Sequence, residues 1–438
     1  MRNFTIALIL LCSRASAQKM DMAPLSLVSY SLRVHPTDSA CRSYIRFFNG
    51  NDSLLLEYES PCTDTSTGFY TESPWGTRYM VIDLKNGTRL GAPVVDRYVI
   101  PPSTPRVNLD QYLKPFWRTD TIYNETVLLQ PDRGRLLFHP DKILSVRSFD
   151  LDTTYSNYVL KGNTLIGSRM PSWPDTTLGD LGWYNLQSRW VVVTYTHKDK
   201  WTGPVPPAKG IRLPRLMAKF SAHKPVTIAA YGMSITRGMD GSAYDQVSPY
   251  VPNYMDMMVY GLKKRYGYTD ITLYNAGLPG STVDWGARYA DQYINPLHPD
   301  LVIVDFGMND FWRLTPLAFK GYIQDILHKI RLANPSVEFL LIANMRFDPA
   351  YITDSDKNKA FYVGNMQGYR DVLESLQGPG VVMLDMNTIS KALYMRKKAK
   401  DCIANPLHPN DYMSRWYAQG LLETLRRQYR SVNNFRHI

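Results

Sequence analysis

A serine becomes a useful nucleophile only where the chain offers its hydroxyl to a base and sets hydrogen-bond donors beside the carbonyl it attacks. The stretch Thr227-Ile-Ala-Ala-Tyr-Gly-Met-Ser-Ile-Thr-Arg-Gly238 has that form: an apolar, strand-like run breaks at Gly232 and delivers Ser234 at the turn. In an open α/β sheet, ligands collect at the carboxyl ends of the strands, where a loop leads into a helix whose free N–H groups receive negative charge. A Gly-x-Ser after a strand is also an ordinary turn, so Ser234 alone decides nothing. Three further pieces follow, each where a strand should end: Asn275-Ala-Gly-Leu-Pro-Gly280, Gly307-Met-Asn-Asp310 and Asn405-Pro-Leu-His408-Pro409. Together they offer what acyl transfer requires, namely a hydroxyl, backbone and amide donors, and an imidazole.

In that order and at those loops, the four pieces resemble the SGNH (GDSL-type) hydrolase family, whose signature residues are Ser, Gly, Asn and His. The resemblance runs from about Val226 to Leu425 and says nothing about the first half of the chain. It implies Ser234 as nucleophile and His408 as its base. It also implies an oxyanion hole formed by the backbone N–H groups of Ser234 and Gly280 and the side-chain amide of Asn309. Gly280 rather than Gly277 closes the Asn-x-x-x-x-Gly spacing, and its missing side chain lets a substrate oxygen approach the backbone.

Two departures from the family pattern stand out. The residue before the serine is Met233 instead of the usual Asp, a position concerned mainly with turn geometry. The family's Asp three residues before the histidine is Asn405, which leaves the imidazole without its orienting carboxylate. In a serine-protease triad the same Asp-to-Asn change costs about 10⁴ in turnover. Either a Ser–His dyad is steadied by an amide or carbonyl oxygen, with Asn405 as orienting group, or Asp401 or Asp411 has taken the role. Asn295-Pro-Leu-His298-Pro299 nearly repeats the His408 motif, but His298 precedes a strand, at the amino end of the sheet, and reads as structural. Asp284 and Trp285 after Gly280, and Phe311, Trp312 and Arg313 after Asn309, are candidates for an aromatic, partly charged substrate rim.

The elements that must position these residues alternate strand, loop and helix from about residue 223 onward. Val226–Tyr231, Asp270–Tyr274, Leu301–Asp305, Val337–Ile342 and Val381–Leu384 are short, nearly continuous apolar runs, as parallel strands covered on both faces require. Helical patterns such as Tyr254–Tyr266, Leu317–Leu332, Lys359–Leu376 and Met413–Arg427 lie between them. Such βαβ units make an α/β three-layer sandwich, and the family resemblance implies a flavodoxin-like parallel sheet.

Residues 18–222 read differently. Short β-like runs such as Leu54–Tyr58, Arg78–Asp83, Val94–Ile100 and Arg135–Phe138, broken by Asn-Gly, Pro and Ser, predict an all-β sandwich or jelly-roll domain preceding the hydrolase domain of residues 223–438. Trp75, Trp117, Trp173, Trp183 and Trp201 either line a sugar-binding face or fill the sandwich core and domain interface. The first 17 residues read as an export signal: Arg2, an apolar core over 4–12, and Ala15-Ser-Ala17 before Gln18. The protein is therefore expected to be secreted or periplasmic, with no membrane span.

The chain has 438 residues, 44% of them hydrophobic and 20% charged, and a net charge of +11, but no Lys/Arg block of nucleic-acid type. An anionic polysaccharide or cell-envelope surface fits the charge better than DNA. Beyond the signal, Cys41 and Cys62 could close a small disulfide, and Cys402 reads as a buried free thiol. No Cys/His spacing suits zinc, and no metal or cofactor is expected. These features predict an exported serine esterase that removes small acyl groups, acetyl above all, from a carbohydrate. A lipase or thioesterase, or a polysaccharide-binding protein with a degenerate esterase domain, are the alternatives.

Overall fold

The computed structural model describes residues 18–21, 26–62, 66–74, 77–90, 93–99, 102–129, 133–167, 190–348, 352 and 356–427. Residues 1–17, expected to be an export signal, and Trp75, Trp173 and Trp183 lie outside the described residues. The chain divides into two compact units, residues 1–102 and 103–438. The expected boundary at residues 222/223 falls inside the second of these units, so the β-rich stretch from residue 103 onward shares a unit with the parallel sheet.

The first unit holds two antiparallel sheets. One runs Gln18–Asp21, Tyr79–Lys85, Arg42–Phe48, Leu54–Pro61; in the other, Ser26–Pro36 pairs with Ser66–Glu72, Gly87–Arg89 and Val94–Val99. Arg42–Phe48 shows the period of two expected of a half-buried strand, with Ser43, Ile45 and Phe47 inside. Cys41 and Cys62 are disulfide-bonded, and Cys41 packs with Leu32, Val34 and Leu84.

The second unit is centred on a five-stranded parallel sheet. Its strands are β1 (Val226–Gly232), β2 (Ile271–Gly277), β3 (Leu301–Asp305), β4 (Glu338–Ala343) and β5 (Val381–Asp385), in the spatial order β2-β1-β3-β4-β5. This is the flavodoxin-like order, and its topological switch point lies between β1 and β3. Every residue of β3 and β4 is buried, as expected of strands covered on both faces. The helices after β1 are α1 (Ser234–Arg237), α2 (Tyr254–Tyr266), α3 (Val283–Tyr293), α4 (Pro316–Ala333), α5 (Lys359–Ser375), α6 (Met386–Tyr394) and α7 (Asp411–Thr424). Asn253 caps α2 by accepting from Met255 and Asp256 N–H, Thr315 caps α4, and Asn410 caps α7. Among the described residues, no helix is long and apolar enough to cross a membrane.

A second β layer in this unit is antiparallel, with Trp190–His197 between Pro140–Ser148 and Thr121–Leu128. It joins the parallel-sheet part through side chains rather than through the sheet. Leu128, Phe149, Trp190 and Val192 form one apolar cluster with Ala404. Fully buried Lys397 pairs with Glu125 and donates to the carbonyls of Thr126 and Arg135, at 3.1 Å each. Trp117 and Trp201 lie 6.0 and 5.1 Å from the ring of Trp416 on α7, so packing against that helix accounts for both.

Candidate active site

The site grows from the carboxyl end of β1, beside the switch point. Gly232 pairs with Asp305 at the end of β3. A Cβ on Gly232 would fall 2.4 Å from Asp305 O and 2.1 Å from Thr236 Oγ1, so only glycine lets the two strand ends close. The chain then turns through extended Met233 into α1, whose first residue is Ser234. Thr236 holds that turn: its Oγ1 accepts from Met233 N–H at 3.0 Å and donates to Asp305 Oδ2 at 2.8 Å. Asp305 also accepts from Tyr254 OH and, at 2.7 Å, from Asn344 Nδ2. Burial pushes its carboxyl above the usual range, while these three donors pull the other way.

The loops after β2 and β3 are tied to the serine turn. Asn275 Nδ2 donates to Thr236 O at 2.8 Å, and Ser281 Oγ donates to Gly232 O at 3.0 Å. Gly280 has φ +77°, in the left-handed region that glycine occupies freely, and space is open where a Cβ would sit. Asn309 Nδ2 donates one hydrogen to Ser281 O at 2.8 Å, which fixes the amide against the Gly280 loop and leaves its second hydrogen for another acceptor. Asp310 accepts from Val283 N–H at 3.0 Å and so anchors the start of α3. Burial raises the Asp310 carboxyl to about 6.

His408 reaches this point from the loop before α7. Its Nε2 lies 2.7 Å from Ser234 Oγ, and its Nδ1 lies 2.5 Å from Asp240 Oδ2. All three residues are buried, Ser234, Asp240 and His408 being 4%, 5% and 6% exposed. An ionised carboxylate only accepts, so Nδ1 carries the proton and Nε2 is left to accept from the serine hydroxyl. That is the tautomer a general base needs.

Asp240 is the residue that sequence reasoning missed. It lies on the serine's own loop, beyond Gly238, with φ 63°. Its only local mark is Gly238-Met-Asp-Gly241, an acid between glycines just after the nucleophile. The three expected orienting candidates are corrected as follows. Asn405 does not present an oxygen to the imidazole; its Oδ1 accepts from the N–H groups of Leu407 (2.9 Å) and His408 (3.1 Å), and its Nδ2 donates to Asp240 Oδ2 at 2.6 Å. The 2.9 Å approach of Asn405 Nδ2 to His408 Nδ1 then brings two donors together around one shared carboxylate. Asp401 accepts from Leu128 N–H at 2.7 Å and lies 3.8 Å from Lys397. Asp411 accepts from Ser242 N–H at 2.9 Å, which steadies the Asp240 loop from behind. Burial raises the carboxyls of both Asp401 and Asp411 to about 6.

The five rim candidates separate. Phe311 is fully buried, stacked on Phe347 at 4.9 Å, and cannot be part of a rim. Trp285 is half-buried among Tyr231, Tyr289 and Tyr293. Asp284 and Arg313 form an ion pair, Arg313 reaching Asp310 as well, and Trp312 is 41% exposed. His298 occupies a left-handed turn, φ 44°, just before β3 and so at its amino end. Cys402 is buried and free, and burial raises its thiol far above the usual range.

Residues 230–416 match the model of the GDSL-like Lipase/Acylhydrolase family. Among solved structures, the chain is similar to a two-domain esterase active on acetylated mannans, co-crystallised with mannopentaose (22% identity, TM-score 0.39, covering 52% of this chain and 58% of that one). It is also similar to an acetyl xylan esterase (19% identity, TM-score 0.36, 45% and 98%). A third is the acetylxylan esterase Axe2 from Geobacillus stearothermophilus (16% identity, TM-score 0.36, 47% and 97%). The chain thus spans just over half the length of the two-domain esterase. No curated protein matches the sequence.

Proposed function

We propose, for a chain whose residues 230–416 form a GDSL-like lipase/acylhydrolase domain, an exported serine esterase that removes small acyl groups, acetyl above all, from a carbohydrate. The observation that carries the hydrolytic part is the continuous chain Ser234 Oγ, His408 Nε2, His408 Nδ1, Asp240 Oδ2 at 2.7 and 2.5 Å. Such a relay is expensive to bury unless it does chemistry, and it argues against a degenerate binding domain.

In this reading Ser234 Oγ attacks the ester carbonyl while His408 Nε2 takes its proton. Asp240 stabilises the imidazolium that forms. The oxyanion is received by the N–H groups of Ser234 and Gly280 and by Asn309 Nδ2. When the tetrahedral intermediate collapses, its bond to the sugar oxygen breaks and His408 returns the proton to that oxygen. Water, deprotonated by His408, then attacks the acyl-serine and releases the carboxylic acid, which restores the hydroxyl.

Export rests on the sequence of residues 1–17, and the Cys41–Cys62 disulfide agrees with an oxidising compartment. Cleavage after Ala17 would leave the strand Gln18–Asp21 intact against Tyr79–Lys85. The test is a series of nitrophenyl esters of rising chain length alongside acetylated oligosaccharides. The expected outcome is kcat/KM falling at least tenfold from acetyl to octanoyl, with acetate released from the oligosaccharides. A preference for octanoyl esters would select the lipase reading.

A further inference from the structure

An open cavity of about 680 Å³ lies between the turn 148–155 of the antiparallel layer and residues 246–250. Its volume falls in the range of about 300–1,000 Å³ typical of small-molecule sites. The second wall is a continuation of the loop that carries Asp240. That loop holds three non-glycine residues in the left-handed region, Asp240 (φ 63°), Gln246 (φ 56°) and Tyr250 (φ 55°). Each such residue is a local cost that persists only where the surroundings over-determine it, and such residues gather at functional loops.

The two walls are fixed to each other, so the cavity is preformed. Ser248 Oγ donates to Asp150 O at 2.5 Å. Arg106 donates to Ser248 Oγ at 2.8 Å and to Asp150 O at 3.0 Å, and its backbone N–H donates to Pro249 O at 2.9 Å.

The lining is amphiphilic in the way a sugar is. Tyr155 and Tyr250 are among its lining residues, and a tyrosine ring is a surface on which the C–H face of a pyranose stacks. Asp150 and Asp152 carry carboxylate acceptors for its hydroxyls, and Gln246, whose Nε2 donates to Ala243 O at 2.6 Å, carries an amide oxygen. Its charge is negative: two carboxylates meet one guanidinium, Arg106, which is already paired with Asp152 at 2.8 Å. The hydrogen bond from Ser148 holds the Asp150 carboxyl below the usual range, so it stays ionised. A uronate chain would bring like charge into this groove. The chain's overall charge of +11 pointed to an anionic polysaccharide, but the field at the groove is set by the groups that line it.

We infer that this cavity is a binding groove for the uncharged glycan chain that carries the ester, delivered along the same loop that supplies Asp240. The inference rests on the esterase reading above for the identity of the reacting group.

The full-length Ser234→Ala protein, which cannot turn substrate over, is titrated calorimetrically with xylo-, manno- and cello-oligosaccharides and with an oligogalacturonate. At least one neutral oligosaccharide is expected to bind, and the oligogalacturonate at least tenfold more weakly. Adding Tyr155→Ala or, separately, Gln246→Ala is expected to weaken neutral binding at least tenfold. In the active enzyme, Tyr155→Ala should lower the ratio of kcat/KM on the acetylated oligosaccharide to that on nitrophenyl acetate at least tenfold. Neutral binding that survives both substitutions, no neutral binding at all, or a preference for the uronate would overturn the groove. Groove-dependent binding by a protein that hydrolyses no ester would instead keep the glycan site and remove the esterase reading.

Discussion

The site has two sides that are built in different ways. On the nucleophile side, Ser234, Gly280 and Asn309 stand at the ends of β1, β2 and β3, and their loops are bonded to one another through Thr236, Asn275 and Ser281. The strand ends of the parallel sheet and these bonds between its loops set that geometry. On the acid–base side, Asp240 and His408 sit on irregular segments whose supports come from a different part of the unit. Arg106 and Asp150 hold the Asp240 loop, while Glu125, Leu128 and Trp190 hold the segment before His408 through Lys397, Asp401 and the Lys400 carbonyl. A site can thus be half scaffold and half graft. The scaffold half follows from strand order, and the graft half depends on contacts that no local pattern announces.

The most severe way to break the comparison is on the scaffold side. Ser234→Ala should lower kcat by about 10³-fold or more with the circular dichroism unchanged, because the substitution removes one hydroxyl from a turn held by other atoms. A variant with most of its activity left would remove the assignment of the whole site. On the graft side, Asp240→Asn should cost about 10²–10⁴ in kcat, as loss of an orienting carboxylate does elsewhere. Its complement sharpens the point. Asn405→Asp should lower turnover, by about tenfold, since it sets a second carboxylate against Asp240 in place of the donor now 2.6 Å away. A rise in turnover would show that Asn405, and not Asp240, holds the orienting position.

How much of this was legible in the sequence follows the same division. Continuous apolar runs placed all five parallel strands, and the expected helix at Tyr254–Tyr266 coincides with α2. The residues at strand ends were readable because a strand end is a local event. Asp240 was not, because the expected acid sat three residues before His408, and an amide there looked like a loss. The amide and the carboxylate have changed places: Asn405 shapes the turn, and Asp240 brings the charge from the other loop. That the expected boundary near residue 222 falls inside one compact unit has a related reason. Alternation reveals that residues 103–200 form strands, but not which core those strands bury against.

A smaller effect tests how firmly the graft is held. Glu125→Ala would leave the fully buried Lys397 ammonium without its main counter-charge, and breaking a buried pair from one side costs about 3–5 kcal/mol. Thermal unfolding should register it as a lower Tm, with kcat falling in the folded fraction as the His408 segment loosens. An unchanged Tm would mean the antiparallel layer carries no weight there.

The smallest expected effect is on pH dependence. Asp411 titrates near 6 in the folded chain against 3.8 unfolded, so the native state binds its proton more tightly. Its stability contribution is therefore greatest below about pH 4, falls as pH rises to about 6, and is flat above. Asp411→Asn keeps an oxygen for Ser242 N–H and removes the buried charge. The variant's Tm should match the parent's near pH 4 and exceed it by about 2 °C or more at pH 7. A constant gap across that range would locate the effect in packing.

The bond from Leu128 N–H to Asp401 joins positions 273 residues apart, and the Glu125–Lys397 pair spans 272. Closures of that length are entropically costly, because the ends of a segment of more than 270 residues must meet before either partner is satisfied. A fragment cut at the apparent domain boundary of residue 223 would keep the serine, the glycine, the asparagine and both members of the His408–Asp240 pair. It would still present Lys397 and Asp401 to solvent and leave the histidine's segment without a floor. The placement of the proposed base is in this way tied to the docking of the antiparallel layer, and a chain cut at residue 223 is expected to lose most of its turnover.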